Sequence, residues 1–267
     1  MPFKQVANTS RTPRRVLIQG APNTGKTHSF LTWPRPAHYI ALPGEKGSDT
    51  IPTGLPDLTA HFWESDPGEK TSSQAVIQAV DRLVFDTLAG KQGEVVSLML
   101  DGLHKYYDHV LNMATGGAYF NGEEFEPKLY ARAHEHFKYF LDRVLTTAVP
   151  YIVCTSWDGR EADKPELKSM SPTHIFPDFP GKMAKRIMGE FPIVMYATIK
   201  YTQEGKVEGA TWQLRPQGSV WGAAVKAPLE VVERLPLTIP QDFKVLEKVL
   251  QGAWESKPTV GTQGVRR

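Results

Sequence analysis

The stretch Gly20-Ala21-Pro22-Asn23-Thr24-Gly25-Lys26-Thr27 constrains this chain more than any other. It fills the pattern GxxxxGK[ST] in full. Glycines let the backbone curl until several N–H groups point at one anion. A lysine at the seventh place reaches the β- and γ-phosphates of a nucleotide, and the hydroxyl after it ligates Mg2+. The loop then feeds a helix N-terminus, whose partial positive charge favours a phosphate. The apolar run Val16-Leu17-Ile18-Gln19 precedes the motif, and a segment suited to helix follows from Lys26 to about Trp33. That strand-before, helix-after context separates a phosphate loop from an ordinary glycine-rich turn.

The rest of the chain supplies an α/β frame for such a loop. It has 267 residues, of which 40% are hydrophobic, enough for one core without a disulfide or structural metal. Strands are expected at 38–42, 58–63, 95–100, 151–155, 192–200 and 211–215. Helices are expected at 72–88, 103–113, 128–145, 181–190 and 240–254. Strands that alternate with helices and then end in a hairpin around Gln203-Glu204-Gly205-Lys206 predict a three-layer P-loop core. Its sheet is mainly parallel, with an antiparallel edge hairpin. Residues 1–13 read as a flexible arm, 14–254 as the ATPase-type domain and 255–267 as a flexible tail. Residues 156–176 form a polar loop long enough to imply function or disorder.

Charge is nearly balanced, 31 Lys and Arg against 29 Asp and Glu, for a net +2. A polyanionic partner is neither required nor excluded by that balance. Cys154 is the sole cysteine, so no internal disulfide and no zinc array is expected. No run of about 18 apolar residues occurs, so no membrane partner is expected, and a reducing, cytoplasmic setting is the simplest expectation.

A phosphate loop needs a second acid for its metal on a nearby strand. Asp101 ends the run Val95 to Leu100 and should lie at a strand C-terminus, where α/β sheets bind ligands. Thr27 and Asp101 are therefore the expected Mg2+ ligands; the plainer reading of Asp101 is a cap for the following helix. An attacking water needs a base, and Glu45 and Glu64, each after a strand, compete for that place. Thr155 ends a further strand, where its hydroxyl can sense a γ-phosphate or merely bond its own backbone.

The residues in order resemble a known family. The phosphate loop is followed by Glu45-Lys46-Gly47, Asp101-Gly102-Leu103, Thr155-Ser156-Trp157, Phe179-Pro180-Gly181-Lys182 and Phe191-Pro192-Ile193-Val194. Over roughly 14–250 this looks like phage-encoded RecA-like proteins, often labelled AAA-domain ATPases, which include single-strand annealing recombinases. The resemblance implies a RecA-like core that binds ATP and Mg2+, assembles as a homo-oligomer and acts on single-stranded DNA. A bacterial host's cytoplasm would be its location. It favours Glu45 over Glu64 as the catalytic acid, and implies that Lys226 reaches a neighbouring subunit's γ-phosphate. The chain departs from the pattern where Leu42-Pro43 replaces a common acid and Gly102 a common serine. It also lacks a Phe-x-x-Ala motif in the N-terminal arm.

Two segments are candidates for nucleic-acid contact. Tyr106 to Tyr130 carries six aromatics among Gly116, Gly117 and Gly122, but also Glu123, Glu124 and Glu126. Stacking of a base on such a ring contributes about 1–3 kcal/mol; the plainer reading is packing beneath a loop. The second segment runs from Asp158 to Asp178, mixing Arg160, Lys164 and Lys168 with acids, and continues into a helix with Lys182, Lys185 and Arg186. His134 and His136 lack metalloprotease spacing, and His104 and His109 suggest no metal. Outside the DNA reading stand a P-loop kinase that moves a γ-phosphoryl to a small acceptor, and a nucleotide-gated assembly module.

Overall fold

A computed structural model describes residues 15–45, 50–52, 54–63, 71–160, 174–180, 182–215 and 222–255. The expected arm, the expected tail apart from Glu255, Glu64, and most of the 156–176 loop lie outside the described residues.

The order of elements follows the hydrophobic pattern. Strand β1 (Arg15–Gln19) leads through the phosphate loop into α1 (Lys26–Ser29). A 3-10 turn, Phe30–Thr32, replaces the rest of the expected helix. Trp33 is extended because Pro34 follows it, and proline disfavours helical backbone at the residue before. Strands β2 (Ala37–Ala41) and β3 (Leu58–His61) come next. Helix α2 (Ser73–Leu88) starts at Ser72, whose hydroxyl accepts from the N–H of Ala75 at 3.2 Å. Strand β4 (Ser97–Asp101) precedes α3 (Leu103–Ala114), the single turn α4 (Ala118–Asn121) and α5 (Pro127–Leu145). Then come β5 (Tyr151–Ser156), β6 (Asp158–Arg160), β7 (His174–Pro177) and α6 (Met183–Glu190). The chain continues with β8 (Ile193–Tyr201), β9 (Val207–Gln213), β10 (Gly222–Ala223) and α7 (Leu229–Val232). It closes with β11 (Thr238–Pro240) and α8 (Phe243–Glu255).

Eight strands form one sheet in the order β11-β9-β8-β1-β5-β4-β2-β3. From β8 to β3 the neighbours run parallel, and β9 and β11 join antiparallel at one edge. The order matters for the site, because β5 stands between the strand that carries the phosphate loop and the strand that carries Asp101.

Alternate side chains of each central strand go to opposite faces. Leu17, Ile40, Leu98, Leu100, Ile152 and Cys154 pack with Val80, Val110, Phe137 and Ile187 from α2, α3, α5 and α6. Val16, Ile18, Tyr39, Met99 and Val153 pack with Phe30, Trp33, and Phe243 and Leu246 of α8. Two apolar layers around one sheet make the three-layer α/β arrangement expected of a P-loop fold.

One expectation is corrected. The segment read as a polar loop after β5 contributes β6 and β7, which pair with each other, and β10 pairs with β7 in a second, three-stranded sheet. Asp158-Gly159-Arg160 has no apolar alternation, so periodicity carried no signal for it. Among the described residues no helix is long and apolar enough to cross a membrane.

Candidate nucleotide site

The phosphate loop is held tightly from below. A Cβ on Gly20 would stand 2.5 Å from the carbonyl oxygen of Ala197 on β8, so only glycine fits there. Lys26 is 7% exposed, and its ammonium donates to the carbonyls of Gly20 at 2.7 Å and Ala21 at 2.8 Å. Burial lowers its pKa, while Asp101, Glu45 and Asp158 oppose that shift. Thr24 donates to Ala21 at 2.8 Å, which braces the loop from within.

Asp101 is the centre of the site. It is 2% exposed at the end of β4 and accepts three hydroxyl groups, one from each neighbouring element. Thr27 of α1 donates to Oδ2 at 2.6 Å and Tyr39 of β2 donates to the same oxygen at 2.7 Å. Thr155 of β5 donates to Oδ1. A carboxylate accepts only, so three O–H donors satisfy it where water cannot. Burial and the adjacent carboxylate hold the Tyr39 phenol far above its ordinary pKa, so it stays a donor. Thr155 also accepts the N–H of Gly102 at 2.8 Å; its hydroxyl fixes the Asp101–Gly102 junction rather than its own backbone.

Glu45 sits in the turn after β2, where its N–H donates to Leu42 at 3.0 Å. Burial, and then the nearby Asp101, push its carboxyl up to about 7, against the pull of Lys26, Lys105 and the nearby Trp157. His104 of α3 is buried beside it, its basicity lowered to about 3 by burial and by Lys105 and Lys26. Lys105 lies 4.4 Å from the Trp157 ring centre. Together the loop residues 22–28, Gly44, Glu45, Thr50, Asp101 and Trp157 line a cleft of about 370 Å³.

The structure thus brings Lys26, Thr27, Glu45, Asp101 and Thr155 to one sheet edge. Lys226 it puts elsewhere: its backbone pairs with Val194, and its ammonium donates to Met188 at 3.2 Å and Gly189 at 3.1 Å. There it caps the C-terminus of α6 within its own chain, a favourable place for a cation. Sequence reasoning missed Tyr39, His104, Lys105 and Trp157. Their signal is positional: His104 and Lys105 lie in the first turn after the acid-bearing strand, and Trp157 lies two residues beyond Thr155. Gln241 was missed as well. Its amide donates to Thr24 at 2.9 Å and to Thr211 at 3.1 Å, joining the loop to β9.

Residues 12–221 match a family described as an AAA domain. The chain belongs to the AAA domain family. The match takes in the phosphate loop, Glu45, Asp101 and Thr155 and ends before Lys226 and α8. No curated protein matches the chain. With the sheet order and the loop, membership makes this a P-loop ATPase-type domain with a nucleotide-binding site.

The donor set suits a magnesium nucleotide. The Thr27 hydroxyl and the Asp101 carboxylate lie 2.6 Å apart at the loop. Among the described residues no three His, Cys, Asp or Glu form a cage. Mg2+ on phosphates needs none, since it uses one or two protein oxygens with phosphate and water.

Proposed function

We propose that the protein hydrolyses ATP with Mg2+ and couples turnover to single-stranded DNA, in phage recombination, repair or replication. The observation that carries the hydrolytic part is the convergence of Lys26, Thr27, Asp101 and Glu45 in one cleft. Loop N–H groups and the Lys26 ammonium bind the phosphates, and the ammonium trades its contacts with Gly20 and Ala21 for phosphate oxygens. Thr27 and Asp101 are the residues that would hold Mg2+, which when bound neutralises charge on the phosphates. Tyr39 and Thr155 keep the Asp101 carboxylate oriented. Glu45 takes a proton from the attacking water; a carboxyl near 7 is a well-matched base at neutral pH.

The DNA part is supported by the α5–α6 face. A groove of about 770 Å³ there is lined by Tyr130, His134, Lys182 and Arg186, with Glu135 opposing. Cations beside an aromatic ring suit a single strand. Self-assembly follows from the same reading, and light scattering with and without ATP tests it.

One comparison tests the whole: ATP turnover alone, with single-stranded DNA, with duplex, and with nucleoside monophosphates. Stimulation by single strands is the expected result. Stoichiometric phosphoryl transfer to a monophosphate would instead make the protein a kinase, and indifference to every addition would make it a nucleotide-gated assembly module. Lys26→Ala is expected to lose ATP binding; wild-type affinity in that variant would remove the nucleotide site.

A further inference from the structure

Two polar atoms beside Asp101 face each other without partners. Oε1 of Glu45 and Nε2 of His104 are both buried and neither makes a hydrogen bond. They stand 3.7 Å apart. His104 is 1% exposed on the first turn of α3. Its other nitrogen, Nδ1, lies 3.5 Å from the backbone nitrogen of Trp157. A backbone N–H only donates, so Nδ1 accepts, and the proton of the neutral ring sits on Nε2. That leaves an N–H donor opposite a carboxylate oxygen.

The surroundings hold the pair together. The charged groups facing it are Lys26 from the loop, Asp101 at the end of β4 and Lys105 on α3, with Asp158 of β6 acting on Lys26. Burial and the two lysines keep the ring neutral, so it remains a donor of fixed charge. A buried polar atom left unpaired is destabilising, and closing less than about one ångström pairs two of them. Glu45 has little other room. Its Cγ rests where a Cβ of residue 102 would be, and Trp157 lines the same cleft.

We infer that His104 is the positioning residue for Glu45, its Nε2–H holding one carboxylate oxygen. The carboxylate is thereby fixed in the orientation from which it takes the proton of the attacking water. The inference rests on the reading of Glu45 as the base. It also ties the turn after β2 to the backbone after β5 through one imidazole ring.

Nitrogen-15 NMR of the imidazoles in the full chain, without nucleotide, tests the contact directly. His104 is expected as the Nε2–H tautomer, unchanged from about pH 5.5 to about pH 8 and shifted in Glu45→Gln. An Nδ1–H tautomer, or a ring that titrates near the ordinary value of about 6.5, would overturn the inference. Kinetics test the consequence. His104→Phe, which fills the space without a donor, is expected to lower kcat about tenfold with KM for ATP little changed. His104→Gln, which restores an N–H donor, recovers part of the loss. In a Glu45→Gln background, removing the ring costs nothing further. Wild-type kcat in His104→Phe, or a full additive loss in the double variant, would sink the positioning role. A wild-type chain without turnover fails the ATPase reading alone, since the NMR measurement still decides the contact.

Discussion

Gly102 has φ +88°, and a Cβ there would stand 2.2 Å from Cγ of Glu45. Both facts demand glycine where the resembling family commonly has serine: the backbone is left-handed, and the neighbouring carboxylate chain occupies the space. Gly102→Ala is therefore expected to cost about 1–2 kcal/mol of backbone strain and to push Glu45 out of the cleft. Denaturant unfolding reads the first effect, and a fall in turnover larger than the fall in ATP affinity reads the second. Glu45 itself gives stability a pH dependence of definite sign. Its carboxyl ionises near 4.5 in the unfolded chain and at about 7 in the folded one. Between those values the folded state holds a proton that the unfolded state has released, so stability falls as pH rises through the window. Glu45→Gln removes that loss. Its melting temperature relative to wild type is expected to rise from about pH 4 to about pH 8; a constant difference would refute the buried, raised carboxyl.

At the scale of elements, the phosphate loop depends on chain far from it. Gln241, between β11 and α8, donates to Thr24 of the loop and to Thr211 of β9. Gln241→Ala removes both contacts and is expected to weaken ATP binding by up to about tenfold, the worth of roughly one hydrogen bond. Calorimetric titration checks it, and unchanged affinity would show that the loop is rigid without this tie. The elements legible in the sequence were those with long patterns. Val76, Val80 and Val84 mark the buried stripe of α2, and Ala133, Phe137, Phe140 and Val144 that of α5. The small sheet of β6, β7 and β10 was not legible, because strands of two to four residues carry too few positions to show a period. The helix after the phosphate loop was read as too long because the expected stop at Pro34 hides an earlier change from α to 3-10 winding.

Across the whole molecule, Arg15 binds the start of the described chain to its middle. Its guanidinium donates to Leu145 at 2.7 Å, Thr147 at 2.7 Å and Val149 at 2.9 Å, capping the end of α5 and the turn into β5. Charged hydrogen bonds contribute about 1.5–3 kcal/mol each where they replace water, and lysine lacks the forked donors to make all three. Arg15→Lys is expected to lower stability by about 2 kcal/mol in denaturant unfolding without changing nucleotide affinity; equal stability would mean that these carbonyls are as well served by water. Such contacts join residues more than a hundred positions apart, and no local pattern marks them. The sequence by itself determined the phosphate loop, the acid at the end of β4 and the α/β layering, because each follows from local spacing: a fixed motif, an apolar run ending in a carboxylate, and periods of two and 3.6. Tertiary structure alone decided that Tyr39, Thr27 and Thr155 converge on Asp101, that Glu45 packs over Gly102 against His104 and Trp157, and that Lys226 caps α6. Those depend on strand order, with β5 between β1 and β4, and the order in which strands pair is set by packing over the whole sheet.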